Sequence, residues 1–262
     1  MLSVEALHYT YGPGQAAIGD VSFNVSAGEI VSIVGPSGCG KTTLLKALAG
    51  LVTPTGGDIR FQGKPVRGVP PGLAMVFQEY SRSLFGWTTV RANVELPLVY
   101  QTTDAAERSA RVSDSLEAVG LAGFEDRYPW QLSGGMQQRV AIARALAYQP
   151  KLLLMDEPFA SVDAQTRADL EDLAAAVRDR FDITIVLVTH DIDEAVYLSD
   201  RVVVLSAAPS TVLAQIGIAL PRPRDQISTK ACEQFIAKRS EVAQLIRRRA
   251  VSRARQGEGR ST

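Results

Sequence analysis

The chain opens with an alternation of apolar and polar positions, which predicts antiparallel strands. Residues 2–9 and 18–26 follow this alternation, with Val21, Phe23 and Val25 on one face. A Gly-Pro-Gly turn separates the two segments. The first part of the chain is therefore predicted to form an antiparallel β subdomain.

Near-continuous apolar runs replace the alternation further along the chain. Such runs are typical of parallel strands that are buried on both faces. They occur at residues 30–34, 151–155 and 183–189, and further strands are predicted at 56–61, 73–77, 201–205 and 211–218. Together the two patterns predict an α/β fold with a mixed central sheet.

Helical spacing fills most of the remaining chain. Helices are predicted at about 43–49, 88–101, 104–119, 164–181 and 228–250, and after residue 139. Asp104 resembles an N-cap for its helix. In the helix after residue 139, the predicted buried face consists of Val140, Ile142, Ala143, Leu146 and Ala147. Residues 79–130, which contain the helices predicted at about 88–101 and 104–119, are interpreted as a helical insertion into the sheet domain.

A phosphate-loop pattern, G-x-x-x-x-G-K-[ST], joins the apolar run at 30–34 to the helix that follows. The loop reads Gly35, Pro36, Ser37, Gly38, Cys39, Gly40, Lys41, Thr42 and Thr43. Its glycines let backbone N–H groups point inward at a helix N-terminus, where phosphate is favoured. Lys41 is expected to reach the β- and γ-phosphates, and the Thr42 hydroxyl to bind Mg²⁺.

Polar residues end three of the apolar strands. Asp156 and Glu157 follow the run at 151–155, and we expect Asp156 to hold Mg²⁺ and Glu157 to deprotonate water. Gln78 and His190 end two other strands, where open α/β sheets place ligand groups. From the residues alone, a capping or surface role for Gln78 and a structural role for His190 remain open as alternatives.

A second anion site is predicted at the helix that begins near residue 134. Ser133 is a plausible N-cap, and Gly134 and Gly135 leave the helix N-terminus bare of side chains. An ordinary capped helix is the alternative. Tyr11, an aromatic residue at the first turn, could stack on an adenine ring or simply pack.

Composition narrows the class of function. The 262 residues are 46% hydrophobic, which is ample for a core, and 28 basic residues balance 28 acidic ones. Binding along a phosphate backbone needs a basic surface, so the neutral balance argues against nucleic acid as a partner. The two cysteines, Cys39 and Cys232, have no metal or disulfide spacing. No secretory signal and no stretch long enough to span a bilayer is expected.

The order of these motifs resembles the ATP-binding subunit of ABC transporters. The resemblance rests on the phosphate loop, a glutamine ending a core strand, Leu-Ser-Gly-Gly at 132–135, Met-Asp-Glu-Pro at 155–158, and a strand-terminal histidine. It covers about residues 2–220. The sequences around 132–146, 155–167 and 188–196 look most like bacterial importers of the nitrate, sulfonate and taurine branch.

The resemblance implies a role for each motif in binding and hydrolysing MgATP. Two subunits, alike or paired with a related one, would pack head to tail, each ATP held between one phosphate loop and the partner's signature at 132–136. Tyr11 would stack on adenine, Asp163 would belong to the D-loop, and His190 would be the switch histidine. Lys41, Gln78, Glu157 and His190 are the implied catalytic residues, and Thr42, Gln78 and Asp156 the implied Mg²⁺ ligands. Met136 and Ala160 depart from the usual glutamine and serine or glycine, which predicts slightly altered communication across the dimer.

The implied partners are a membrane permease and, indirectly, an external solute-binding receptor. The permease's coupling helix would enter a groove near Gln78 to Trp87, with Leu84 and Phe85 as further candidates or as packing residues. This places the chain on the cytoplasmic face of the inner membrane. An exporter or lipoprotein-extraction ATPase is the nearer alternative, and an ABC ATPase acting on nucleic acid or ribosomes a more distant one.

The C-terminal part is predicted to be a separate extension. Residues 1–220 would form the ATPase domain, and 221–262 a helical extension with a basic tail. That tail is interpreted as a solvated helix end, with contact to anionic lipid as the alternative. Its arginines are Arg247, Arg248, Arg249, Arg253, Arg255 and Arg260.

Overall fold

The structure, a computed structural model, describes residues 1–160 and 162–258. Within this range it describes no burial for the side chains of residues 80, 81 and 248–258. The chain divides into two compact units, Met1–Pro70 with Val186–Thr262 (the first unit) and Pro71–Ile185 (the second unit). Of the basic tail, Arg260 lies outside the described residues.

The strands and helices follow the predicted order. The strands are β1 (Leu2–Thr10), β2 (Ala16–Val25), β3 (Ile30–Val34), β4 (Gly56–Phe61), β5 (Lys64–Pro65), β6 (Leu73–Val76), β7 (Leu152–Asp156), β8 (Thr184–Val188), β9 (Arg201–Leu205) and β10 (Ser210–Gly217). The α-helices are α1 (Lys41–Leu48), α2 (Tyr80–Ser83), α3 (Val90–Glu95), α4 (Ala105–Ala118), α5 (Gly134–Ala147), α6 (Ala164–Phe181), α7 (Ile192–Leu198), α8 (Ser228–Ala231) and α9 (Glu233–Glu258). Short 3₁₀ helices lie at Leu96–Leu98 and Pro129–Gln131.

The first unit contains a mixed sheet in the order β5-β4-β1-β2-β10-β9-β3. β1 pairs antiparallel with β2 and β4, and Val21, Phe23 and Val25 are all buried, so the predicted antiparallel subdomain and its buried face are confirmed. β3 pairs parallel with β9, with Ile33 opposite Val203. All five residues of β3 are buried, as expected for a strand covered on both faces.

The C-terminal helices pack onto the first unit. α9 contacts α7, β9 and β10, and its Phe235 and Val242 are buried. The prediction of one helix over 228–250 is wrong, since Cys232 has extended backbone angles and separates α8 from α9. An extended residue interrupts the i to i−4 hydrogen bonds that a continuous helix requires.

The second unit pairs β6 with β7 in parallel and carries helices α2 to α5 between them in the chain. α3 and α4 pack on α5, and the predicted buried face of α5 is confirmed. Asp104 caps α4 as predicted, accepting hydrogen bonds from the N–H groups of Ala106 and Glu107. The helix predicted at 88–101 ends instead at Glu95, because Pro97 cannot donate a backbone hydrogen bond. The chain continues from there as the 3₁₀ turn Leu96–Leu98.

Candidate functional site

The phosphate loop lies between β3 and α1 in the first unit, and each of its three glycines has a physical reason. Gly38 and Gly40 have φ angles of 72° and 100°, in the left-handed region that glycine adopts without strain. Gly35 is required by packing instead. A Cβ there would lie 3.0 Å from the Cys39 Sγ and 3.1 Å from the Leu205 carbonyl oxygen.

The Lys41 ammonium lies inside the curve of this loop. Its Nζ donates to the carbonyl oxygens of Gly35, at 3.0 Å, and Pro36, at 3.1 Å, and the residue is 6% exposed. The Cys39 N–H donates to the same Pro36 carbonyl at 3.3 Å, which closes a turn. The loop therefore concentrates a cation and the N-terminus of α1 in one place, an arrangement that favours a bound anion.

Tyr11 lies beside the last residue of the loop. Its ring is 62% exposed, stands edge-on to Tyr9 with centroids 5.1 Å apart, and its hydroxyl is hydrogen-bonded to the Thr43 hydroxyl. The open face of the ring is thus held close to the phosphate loop, as stacking on a base would need.

His190 follows β8 at the same edge of the first unit as the loop. The Thr189 N–H donates to the Ile33 carbonyl at 3.2 Å, which sets the end of β8 beside the end of β3. The side chain of His190 is exposed. Asp191 then caps α7, accepting from the N–H groups of Asp193 and Glu194.

In the second unit the structure brings Gln78 and Glu157 together. Both follow parallel strands, since β6 and β7 are paired with Val76 opposite Met155. The Gln78 Nε2 donates to the Glu157 Oε2 at 3.2 Å. Asp156 is 3% exposed, whereas Glu157 is only partly buried and has a φ of 43°, a strained value for a residue with a Cβ.

The predicted signature forms the N-terminus of α5. Ser133 caps this helix by accepting from the Met136 N–H at 3.3 Å, as predicted. The Cα of Gly135 packs against α6, and a Cβ there would lie 2.4 Å from the Thr166 Cγ2. Gly135 therefore leaves the space that the Thr166 side chain occupies. It also leaves the backbone N–H groups of the first turn uncovered by a side chain.

Thr166 also links the signature to Asp163. Asp163 caps α6, accepting from the Thr166 N–H at 3.0 Å and from the Thr166 hydroxyl at 2.7 Å. These bonds, the one to the backbone N–H first, lower the pKa of Asp163, so its carboxylate stays charged well below neutral pH. Sequence reasoning missed Thr166, whose place beside Gly135 no local pattern reveals.

Two further polar residues that sequence reasoning missed hold the segment after Gln78. The Arg144 guanidinium donates to the Ser83 carbonyl and hydroxyl at 2.6 and 2.7 Å. Asn93 is fully buried and bonds the backbone of Phe85, Thr88 and Thr89. The available signal was a polar residue at an otherwise apolar helix position.

The aromatic candidates for a partner groove differ in exposure. Trp87 is 77% exposed and packs against Phe85 with centroids 5.1 Å apart, whereas Leu84 is buried. Leu84 thus packs inside the second unit and leaves Trp87 to the surface.

The predicted site residues fall into two groups. The phosphate loop, Tyr11 and His190 lie in the first unit, and Gln78, Ser133, Asp156, Glu157 and Asp163 lie in the second. Within residues 1–160 and 162–258, no group of three or more His, Cys, Asp or Glu could hold a metal ion. Over the same residues, none of the helices has both the length and the apolar character needed to span a bilayer.

Comparison with known proteins gives the family. The family model "ABC transporter" matches residues 18–160. The aliphatic sulfonates import ATP-binding protein SsuB 1 of Xanthomonas axonopodis pv. citri is 47% identical over 213 residues, covering 81% of this chain and 84% of that protein. The nitrate import ATP-binding protein NrtC of Synechococcus elongatus is 42% identical over 252 residues, covering 94% of this chain but only 38% of NrtC.

A solved structure agrees with these relatives. The dimeric post-hydrolysis state of the ATP-binding cassette MJ0796, bound to ADP and Pi, matches with a TM-score of 0.72 and 32% identity over 83% of this chain and 99% of that one. The chain belongs to the ABC transporter family. It is an ATP-binding subunit of that family and has the α/β fold of the family's cassettes. Its ATP hydrolysis is coupled to transport.

Proposed function

We propose that this chain is the ATP-hydrolysing subunit of a bacterial importer for a small solute of the nitrate, sulfonate or taurine type. The observation that carries the proposal is that one chain presents two helix N-termini whose backbone geometry suits an anion. One is the phosphate loop around Lys41, and the other is the Ser133-capped N-terminus of α5 with its bare Gly134 and Gly135. The names of SsuB 1 and NrtC support the solute class.

Two such sites make sense when two subunits pack head to tail. Each ATP would then lie between the phosphate loop of one subunit and the signature of the other. Backbone N–H groups and the Ser133 hydroxyl would complete the site only on closure, which makes hydrolysis depend on the dimer. The dimeric state of the MJ0796 cassette supports the dimer that this arrangement needs.

Within each site, the residues divide the work between binding and proton transfer. The Tyr11 ring stacks on adenine, and Lys41 moves from the Gly35 and Pro36 carbonyls to the β- and γ-phosphates. Glu157 accepts the proton of the attacking water. The Gln78 amide orients the Glu157 carboxylate through the 3.2 Å hydrogen bond. His190 donates to the γ-phosphate, and Asp163 carries the charged D-loop carboxylate toward the partner.

Mg²⁺ fits the donor chemistry of three predicted ligands. The Thr42 hydroxyl, the Gln78 amide oxygen and the Asp156 carboxylate are hard oxygen donors, and Mg²⁺ commonly takes one or two carboxylates together with substrate phosphates. The ion would neutralise charge on the β- and γ-phosphates when bound. These ligand roles remain predictions from the sequence.

The permease would dock at the segment from Gln78 to Trp87. The exposed indole of Trp87 is available to an apolar partner, and the segment starts at Gln78, whose amide contacts Glu157. The chain would then lie peripherally on the cytoplasmic face of the inner membrane, with an external receptor selecting the solute. Closure of the dimer on ATP would shift the permease between its states.

Affinity purification of the full chain from detergent-solubilised membranes of its native host tests this proposal. We expect a multi-span permease to co-purify, with a solute-binding receptor encoded beside it, and the receptor's bound solute gives the class. A receptor-free exporter partner, or recovery with ribosomes or nucleic acid, would overturn the importer proposal and leave the ATPase assignment intact.

A further inference from the structure

Arg144 joins the signature helix to the segment that begins at Gln78. It lies on α5, ten residues after Gly134, and its two guanidinium nitrogens donate to the carbonyl and the hydroxyl of Ser83. Burial lowers the pKa of Arg144 from its ordinary value. A desolvated guanidinium held by two bonds to one residue fixes both distance and direction.

The segment from Gln78 to Thr89 is held at three separate points in the second unit. Gln78 is bonded to Glu157, Ser83 to Arg144, and the backbone of Phe85, Thr88 and Thr89 to the buried Asn93. Asn93 lies on α3, which itself packs on α5. Trp87 lies between Phe85 and Thr88, within the third of these points, and is nevertheless 77% exposed.

We propose that Arg144 is a positioning residue that transmits movement of the ATP-bound signature helix to Trp87. The inference rests on the proposed function, because it assumes that a partner's ATP engages Ser133 and that the permease docks near Trp87. At 1.5 Å per residue, the ten residues from Gly134 to Arg144 make a lever of about 15 Å. A shift of the N-terminus of α5 reaches Ser83 through this side chain, alongside the packing of α2 and α3 on α5.

The placement of the bonds gives the reason why Arg144 carries the movement. α2 is a single turn that ends at Ser83, so little backbone hydrogen bonding of its own resists displacement. The two Arg144 bonds grip that turn at its end, directly before Leu84. Ser83 lies two residues before Phe85, where the Asn93 contacts begin, and Trp87 lies within the stretch that Asn93 holds, so we expect displacement of Ser83 to shift residues 85–89 together with the indole.

The test uses Trp87 as the reporter in the full chain. The chain has two tryptophans, so Trp130→Phe leaves Trp87 alone. With Glu157→Gln to retain ATP, acrylamide quenching of Trp87 is measured with and without MgATP, and dimer formation is followed by size-exclusion chromatography. Arg144→Met is compared with Arg139→Met, a matched control on the same helix whose guanidinium donates to the Val119 carbonyl at 2.8 Å.

We expect MgATP to change the quenching of Trp87 in the parent protein and in Arg139→Met. In Arg144→Met the ATP-bound dimer should persist while the quenching difference is lost, and Arg144→Lys should restore part of it. Ser83→Ala, which removes only the hydroxyl acceptor, should weaken the difference and covers the case in which Arg144→Met does not fold.

Two results would overturn the inference. Either Arg144→Met and Ser83→Ala keep the full quenching difference, or the parent dimer forms with MgATP and Trp87 does not respond. Failure of the parent to dimerise on MgATP is a separate result, which overturns the proposed head-to-tail dimer and this inference with it.

Discussion

Replacing Gly135 by alanine tests whether the signature helix and α6 are as close as the structure has them. The added Cβ would lie 2.4 Å from the Thr166 Cγ2, whereas carbon atoms in contact are about 3.5–4.0 Å apart. Thr166 cannot rotate away freely, because its hydroxyl donates to the Asp163 carboxylate at 2.7 Å. Either that bond breaks or one helix moves.

The magnitude follows from two opposing effects. Forcing an extra carbon into a packed contact costs about 1–3 kcal/mol. Alanine gains up to about 1 kcal/mol over glycine in a helix interior, and less in the first turn. We therefore expect Gly135→Ala to lower the free energy of unfolding by about 1–2 kcal/mol, measured by urea denaturation.

Thr166→Ser provides the decisive partner, since it removes the Cγ2 and keeps the hydroxyl that bonds Asp163. In a double-mutant cycle, the destabilisation by Gly135→Ala should largely disappear in the Thr166→Ser background, with a coupling energy of about 1 kcal/mol or more. An equal cost in both backgrounds would refute the contact. If Gly135→Ala instead leaves the free energy of unfolding unchanged and only reduces ATP-dependent dimerisation, its effect lies in the backbone N–H groups that glycine leaves uncovered.

Three further predictions concern the nucleotide site. Glu157→Gln should retain ATP binding and reduce phosphate release by about 10²–10⁴, as expected for a lost general base, and near-normal turnover would remove Glu157 from that role. Lys41→Ala should weaken nucleotide binding measured by titration calorimetry, and unchanged affinity would contradict the loop assignment. Cys39 is 1% exposed and burial raises the pKa of its thiol, so iodoacetamide should alkylate it more slowly than Cys232, at a rate that rises with pH as thiolate forms; equal rates at neutral pH would contradict this.

Short-range patterns explain why so much of the fold could be predicted. The helix predicted at about 164–181 is observed at Ala164–Phe181. Its N-cap, its periodicity and its C-terminal end are all determined by residues within or next to the helix. β3, β7 and β8 are likewise near-continuous apolar runs. The errors at 88–101 and 228–250 arose where Pro97 and an extended Cys232 overruled an otherwise helical pattern.

The candidate site was predictable wherever a residue acts through its own backbone neighbourhood. Ser133 and the loop glycines could be found because capping and left-handed backbone have local sequence rules, whereas Asp163 was reached only through the family resemblance. Thr166, Arg144 and Asn93 could not, because their roles depend on packing between elements. Arg144 meets Ser83 across 61 residues of chain, and no pattern in a single sequence encodes that distance.

Under the proposed function, Gln78 would connect the catalytic residues of the second unit with the segment where the permease would dock. Gln78 bonds the residue assigned as general base, and five residues later Ser83 is gripped by the helix that carries the signature. Glu157 has a strained backbone φ of 43°, which the surrounding structure must hold, and its carboxylate accepts the Gln78 hydrogen bond. A partner that displaces the segment after Gln78 would therefore alter the hydrogen bond from Gln78 to the proposed base. Coupling of hydrolysis to the proposed permease would then require no long relay, since the same short segment contacts Glu157 at one end and exposes Trp87 near the other.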